Sequence, residues 1–294
     1  MKILVSGSNG FIGSALVASL TENSHDVTRL VRRVPRHGEI RWDPEGGTID
    51  ADGIEGMDAV VHLAAESIAA GRWTAKQKAR IRDSRVNGTR LLVETLAQME
   101  QPPGVLACAS SDVYYGDRGD EVLSEDSGPG TNFLAGVTEE WEAQTAAAAE
   151  AGIRVVNMRF GMVIGPTVAG VAGRFKKGLG GKLGDGSHYI SWVTLDDAIG
   201  AIHHVLTTEA LEGPLNIAAS NPVTNADFTK TLGRGLGRPT LLRRPAFLMR
   251  LLMGEMAEIE LISVRMDSTR LMDSGFRFLY PELEGAMRSV LGRP

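Results

Sequence analysis

One cysteine in 294 residues, Cys108, has no second thiol to pair with. An internal disulfide and a cysteine-rich metal cluster are both excluded, and a reducing compartment, the cytoplasm, is the expectation. Long apolar runs are missing as well. None approaches the roughly 20 residues that a bilayer-crossing helix needs, and Met1-Lys2 leads straight into strand-like Ile3-Leu4-Val5, so neither a membrane partner nor a signal-type segment is expected. There is no surplus of positive charge: 31 Lys plus Arg stand against 36 Asp plus Glu, a net of −5, with no long run of either sign. That balance argues against a protein that tracks nucleic-acid phosphates. No Gly-x-Ser-x-Gly elbow occurs, which removes the usual serine-hydrolase device. Of the six histidines only His203 and His204 are close, and adjacent helical residues do not share a face, so no metal site is expected. Internal repeats, heptads and low-complexity linkers are absent too.

What is present is ordinary globular material, 43% hydrophobic and 23% charged, enough for a sizeable core. Glycine is the exception at 35 residues, well above average usage, and predicts many tight turns or close approaches of backbone to a ligand. Short, continuously apolar runs at 2–6, 27–31, 59–63, 105–110 and 154–159 read as buried strands. Helical stretches at 11–22, 74–98 and 132–151 lie between them. This alternation predicts an α/β fold with a doubly wound parallel sheet. The texture changes after Gly165-Pro166. Residues 170–186 are rich in glycine and lysine, 196–207 reads as a helix, and the remainder from 224 is mostly helical with a methionine-rich stretch at 247–253. The expected organisation is a nucleotide-binding domain at 1–165, with some later segments returning to it, and a smaller, mostly helical substrate lobe at 166–294.

The sharpest local signal is Gly7-Ser8-Asn9-Gly10-Phe11-Ile12-Gly13, which follows the first strand and opens the first helix. Gly7 permits the tight turn, Gly10 lets backbone N–H groups approach a pyrophosphate, and Gly13 lets the helix pack on the strand. The helix N-terminus then faces the phosphates. An NAD site usually places a carboxylate about 20 residues further on, against the ribose. This chain instead reads Val31-Arg32-Arg33, two guanidiniums and no acid, which suits the additional phosphate of NADP and favours NADP over NAD.

The spacing Gly7-x-x-Gly10-x-x-Gly13, with His62-Leu63-Ala64-Ala65, Asn87-Gly88-Thr89 and Ser110-Ser111-Asp112-Val113-Tyr114-Tyr115-Gly116, resembles the extended short-chain dehydrogenase/reductases. That group includes the NAD(P)-dependent sugar-nucleotide epimerases and dehydratases. The runs Ala64-Ala65-Glu66-Ser67-Ile68, Arg72-Trp73-Thr74, Ser84-Arg85 and Tyr114-Tyr115-Gly116-Asp117 look more narrowly like its atypical, epimerase-like subgroup. Members of that subgroup carry a C-terminal domain of unknown function, which residues 244–291 resemble. The resemblance implies a Rossmann-type sheet, with Leu63, Ala64 and Ala65 bordering the cofactor and Asn87 bracing the adjoining helix. It also implies that Arg159, Gly161 and Val163 lie near the nicotinamide.

The departure from that group is as informative as the likeness. Extended members use Ser or Thr with Tyr-x-x-x-Lys, four residues apart on one helix face, so that the lysine charge stabilises a phenolate. Here the aligned pair is Phe133 and Val137, and no other Tyr-x-x-x-Lys occurs. Ser110, Ser111 and Tyr115 are the candidate catalytic residues that remain, with Asp112, Tyr114 and Glu66 nearby. Glu66 is expected to pair with Arg72 or Arg85, and Asp196-Asp197 to open a helix. The lysines of 175–189 suit an acidic ligand or solvent equally. The helix 139–151, with Ala146 to Ala149, suits a homodimer face or packing on its own sheet. Two functions are compatible with these residues. The preferred one is an NADP(H)-dependent oxidoreductase or epimerase acting on a small molecule through unconventional residues. The alternative is a non-catalytic NADP(H)-binding or sensing protein.

Overall fold

The computed structural model of the chain describes residues 1–165, 173, 175 and 180–292. Eight strands form its principal sheet: β1 (Lys2–Ser6), β2 (Asp26–Val31), β3 (Glu39–Asp43), β4 (Thr48–Ile49), β5 (Ala59–His62), β6 (Val105–Ser111), β8 (Arg154–Phe160) and β13 (Gly213–Ile217). Their spatial order is β13-β8-β6-β5-β1-β2-β3-β4. The pairs β1–β2, β1–β5, β2–β3 and β5–β6 are parallel, and β3–β4 is antiparallel. Ile3, Leu4 and Val5 of β1 are all fully buried although their side chains alternate between faces. Both faces of the sheet are therefore covered, as the continuous apolar runs require. Chain order reverses at β1, which has β2 on one side and β5 on the other. The crevice beyond the carboxyl ends of these three strands is the topological switch point at which such sheets bind ligands.

Helix α1 (Phe11–Glu22) buries Gly13, Leu16, Val17 and Leu20, the i, i+3, i+4, i+7 stripe of a helix lying on a sheet. Helix α2 (Ala75–Ala97) starts at Thr74, whose hydroxyl accepts the N–H of Gln77 at 3.2 Å, and its second half buries Leu92, Val93 and Leu96. These join Leu4, Leu30, Trp42, Val60, Leu106 and Trp141 in one core cluster. The helix predicted over 132–151 is broken into α3 (Phe133–Ala143) and α4 (Ala146–Glu150). The cause is Thr145, whose hydroxyl donates to the Glu142 carbonyl at 2.7 Å and accepts from Asn157 Nδ2 at 3.1 Å, replacing helical continuity with side-chain bonds. Ala148 of α4 lies in the same core as Leu92, so the alanine run has an intramolecular packing role.

Contacts divide the chain into two units that interleave in sequence. The first holds Met1–Ser110, Gly136–Arg159 and Ile199–Leu215, and the second Ser111–Ala135, Phe160–Ala198 and Asn216–Pro294. Ile199–Leu215 is a later segment that returns to the first unit, as expected, and Ser111–Ala135, before the 165/166 division, belongs to the second. The second unit contains four two-stranded pairs besides its helices: β7 (Val122–Leu123) with β16 (Arg265–Met266), β9 (Met162–Ile164) with β12 (Trp192–Thr194), β10 (Gly181–Leu183) with β15 (Leu242–Arg244), and β11 (Tyr189–Ile190) with β14 (Val223–Thr224). Its core gathers Trp192, Phe228, Leu232, Ala286 and Met287, from β12 and the helices Asn225–Leu236 and Leu283–Val290. Asp196 and Asp197 do open a helix, Leu195–Thr207. Lys176 and Lys177 of the lysine-rich stretch fall outside the described residues, and Lys182 lies in β10. No helix among the described residues is long and apolar enough to cross a membrane.

Candidate cofactor site

The glycine loop is shaped by contacts that no side chain could share. Gly7 follows β1 with φ of +66°, and a Cβ there would lie 2.6 Å from the Leu63 carbonyl carbon and 2.8 Å from the Ala64 nitrogen. The turn is therefore pressed against the end of β5. A Cβ on Gly13 would stand 2.2 Å from the Gly7 oxygen, so α1 rests directly on the loop. Gly10 closes the turn by donating to the Gly7 carbonyl at 2.9 Å and is the N-cap of α1. No side chain caps this helix and its first turn holds no acid. Phe11, Ile12 and Gly13 thus present an uncompensated helix N-terminus.

Above this loop lies a cavity of about 830 Å³ within the first unit. Gly7, Asn9, Gly10, Arg32, Leu63, Ala64, Ala65 and Asn87 all line it, as does Ser8, whose buried hydroxyl has no partner among the described residues. Further walls are not legible in any motif. Trp42 and Pro44 come from β3 and the turn after it, and the exposed Lys76 and Arg80 and the half-buried Asp83 from α2. Only the pairing of β3 beside β2, with Leu30 opposite Ile40 and Val31 opposite Arg41, brings that segment to the cavity. Glu66 pairs with Arg80 at 3.1 Å, in place of the expected Arg72 or Arg85. Arg85 donates to the backbone carbonyls of Glu66 at 3.0 Å and Ile81 at 3.1 Å, and lies 5.2 Å from the Trp141 ring centre.

The two arginines after β2 separate. Arg32 lines the cavity, exposed, with no hydrogen bond or ion pair among the described residues. Arg33, expected beside it, does not line the cavity. Its guanidinium grips Glu39 with two bonds of 2.7 and 2.5 Å. The Glu39 carboxylate raises the Arg33 pKa, and Arg33 together with the Arg36 amide lowers that of Glu39.

A buried hydrogen-bond chain supports the cavity floor. Ser6 is paired with His62 across β1 and β5. The Ser6 hydroxyl accepts the N–H groups of Leu63 at 3.1 Å and Ala64 at 3.3 Å, which leaves its proton to donate to His62 Nδ1 at 2.7 Å. His62 then carries its proton on Nε2 and donates to Thr89 Oγ1 at 3.0 Å, which also accepts from Trp141 Nε1 at 2.7 Å. Complete burial lowers the His62 pKa to about 4, so the ring stays neutral in this chain of bonds.

The other predicted residues occupy separate surroundings. In the first unit, Ser110 Oγ donates to Glu142 Oε1 at 2.5 Å. Arg159 binds the same carboxylate through Nε at 2.9 Å and Nη2 at 2.8 Å. The Arg159 and Glu142 side chains are only 3% and 12% exposed. Arg159, implied by resemblance to lie near the nicotinamide, is thus committed to this buried pair. In the second unit, Ser111 Oγ donates to Asp112 Oδ1 at 3.1 Å, and burial raises the Asp112 pKa to about 6. Tyr115 is fully buried with Leu123, Val264 and Met266, and its hydroxyl donates to Asn216 Oδ1 at 2.7 Å. Tyr114 meets it edge to face at 5.3 Å. A Cβ on Gly161 would lie 2.8 Å from the Ser191 oxygen, and Val163 pairs with Val193. Phe133 begins α3, and Val137, one turn later, is buried. Neither has an exchangeable proton. Among the described residues no group of three His, Cys, Asp or Glu could hold a metal ion.

The model of the NAD dependent epimerase/dehydratase family matches residues 3–218, and that of a domain of unknown function, DUF1731, matches residues 244–290. An epimerase family protein of Mycobacterium leprae is 39% identical, covering 99% of this chain and 96% of its own. The crystal structure of human epimerase family protein SDR39U1 (isoform 2) with NADPH is 29% identical with a TM-score of 0.91, covering 99% of both chains. A nucleoside-diphosphate sugar epimerase structure from Corynebacterium glutamicum is 33% identical with a TM-score of 0.80, covering 99% of this chain and 58% of that one.

Proposed function

Because the chain belongs to the NAD dependent epimerase/dehydratase family, we propose that it is an NADP(H)-binding oxidoreductase or epimerase-like enzyme acting on a small molecule. The observation that carries the cofactor choice is Arg32, without a partner among the described residues, on the cavity wall where an NAD site would place an acid. The residues present fit the group. The orphan hydroxyl of Ser8, the bare N-terminus of α1 and the side-chain-free approach at Gly10 suit a pyrophosphate, and Arg32 suits the 2′-phosphate. The NADPH in the similar human structure supports the same reading. When bound, the dinucleotide supplies or accepts a hydride.

Proton exchange in this reading does not use the helix residues of the wider group, since Phe133 and Val137 carry no proton. Asp112, in the second unit, has its carboxyl raised to about 6 by burial and accepts the Ser111 hydroxyl at 3.1 Å. A carboxyl near neutrality can take and return a proton, whereas Tyr115 spends its hydroxyl on Asn216 in the core. Phe133 and Val137 also motivate a second reading, a binding or sensing protein without turnover.

The test is calorimetric titration of the full chain with NADPH and NADH, followed by nicotinamide absorbance with a panel of carbonyl compounds. The enzyme reading expects tighter NADPH binding and turnover that Asp112→Asn lowers by about 10²–10⁴-fold at unchanged NADPH affinity. NADPH binding without turnover on any compound would favour the sensing protein. Failure to bind either dinucleotide would refute both readings.

A further inference from the structure

Residues 241–253 combine two features that occur together nowhere else in the described structure. Six of the eleven large apolar residues left exposed are here: Leu241, Leu242, Phe247, Leu248, Leu251 and Leu252. Four of these belong to the helix Ala246–Met253. At 100° per residue Phe247, Leu248, Leu251 and Leu252 share one face, with Phe247 at 71%, Leu251 at 72% and Leu252 at 67% exposure, while Met249 on the opposite face is buried. The second feature is charge. Between Asp227 and Glu255 the sequence holds Lys230, Arg234, Arg238, Arg243, Arg244 and Arg250 and no acid, in a chain of net charge −5.

We propose that this helix and the strand before it form a peripheral docking surface for an anionic lipid bilayer. Leucines and a phenylalanine on one helix face, with Arg250 at its edge and Arg243 in the strand before it, resemble the composition of helices that lie in the plane of a membrane interface. The apolar side chains enter the acyl boundary, and the exposed guanidiniums of Arg250 and of Arg243, whose Nε donates to the Gly184 carbonyl at 2.7 Å, meet the headgroups. A bilayer contacted in this way needs no spanning segment. A second copy of this chain fits less well, because a two-fold contact lays the patch on itself and apposes like charges. A nucleic acid would use the arginines and leave the leucines exposed. Arg243, Ala246 and Arg250 also line a cavity of about 800 Å³ in the second unit. Membrane contact would bring the wall of that cavity to the lipid surface.

The experiment is co-flotation of the full chain with vesicles of phosphatidylcholine alone or of phosphatidylcholine mixed with phosphatidylglycerol. Binding to the anionic vesicles is expected to exceed that to the neutral ones by about ten-fold or more, and to fall as salt rises. Phe247→Ser with Leu251→Ser should remove most of it, and Arg243→Gln with Arg250→Gln should abolish the preference for anionic lipid. Phe247, Leu251 and Arg250 are exposed, so the unfolding midpoint and NADPH affinity should stay unchanged in the serine variant, while the arginine variant, which loses the Arg243 bond to the Gly184 carbonyl, should keep its NADPH affinity with at most a small fall in midpoint. Absence of flotation with either vesicle, equal binding to both, or wild-type binding by the Phe247→Ser, Leu251→Ser variant would overturn the proposal. Self-association in sedimentation that this variant abolishes, without vesicle binding, would assign the surface to a second copy.

Discussion

The separation of Arg32 from Arg33 makes a prediction that the sequence could not make. Both guanidiniums follow β2, but Arg33 is held by two bonds to Glu39 while Arg32 has no protein partner among the described residues and borders the cavity. Replacing Arg32 by Ala removes a charge-assisted contact to a phosphate, of the order of 1.5–3 kcal/mol in a favourable site. Arg32 is exposed, so solvent and salt screen that contact and the lower end applies: NADPH affinity should fall roughly ten-fold, more at low ionic strength. NADH affinity should change less than about two-fold, since NADH has no phosphate at that position. Arg33→Ala should leave both affinities within about three-fold, because the cofactor loses nothing the arginine was free to give. Isothermal titration of the wild type and both variants at two salt concentrations decides the matter. Equal wild-type affinities for NADPH and NADH, or a larger loss from Arg33→Ala than from Arg32→Ala, would refute the assignment.

Gly10→Val should fold, since the backbone at Gly10 is extended and a Cβ there meets only the Gly7 oxygen at 3.1 Å, yet it should weaken NADPH at least about 100-fold in the same titration. Glu142→Gln leaves the Arg159 guanidinium buried without its counter-charge and should cost about 3–5 kcal/mol in urea unfolding. Replacing Glu142 by Leu and Arg159 by Met together should recover much of that, and a double variant no better than the single one would count against the buried pair. His62 gives a pH signature. Its folded pKa of about 4 lies below the unfolded value of 6.5, so the unfolded chain takes up the proton first as pH falls. The stability it contributes should be complete above about pH 6.5, decline towards pH 4 by up to about 3 kcal/mol, and then level off. Subtracting the pH profile of His62→Gln from that of the wild type isolates this slope, and a flat difference would contradict a buried neutral ring.

Much of the site was readable locally because its requirements are local. A positive φ at Gly7, a helix packed on a bare loop at Gly13 and an approach kept open at Gly10 are properties of a few consecutive residues. Helix α1 matches the predicted 11–22, and the strands fall within a residue or so of the expected runs. Periodicity and buried apolar length encode such elements directly. The break at Thr145 was not readable, because it depends on Asn157 arriving from β8.

Partner choice is what only the tertiary structure decided. Glu39 takes Arg33 because β3 pairs alongside β2, and Trp42 reaches the cavity for the same reason. Ser110, Glu142 and Arg159 are 32 and 17 residues apart in sequence and meet within 3 Å only because folding brings Glu142 of α3 to Ser110 of β6 and Arg159 of β8. Ser6, His62, Thr89 and Trp141 form one chain through strand register and helix packing. The sequence alone therefore determined the parallel sheet, the dinucleotide loop and the loss of the tyrosine and lysine, since each is written in residue type at short range. Which arginine borders the cavity, which carboxyl is raised towards neutrality and which tyrosine is spent in the core depended on burial and on neighbours that folding brings from distant parts of the chain.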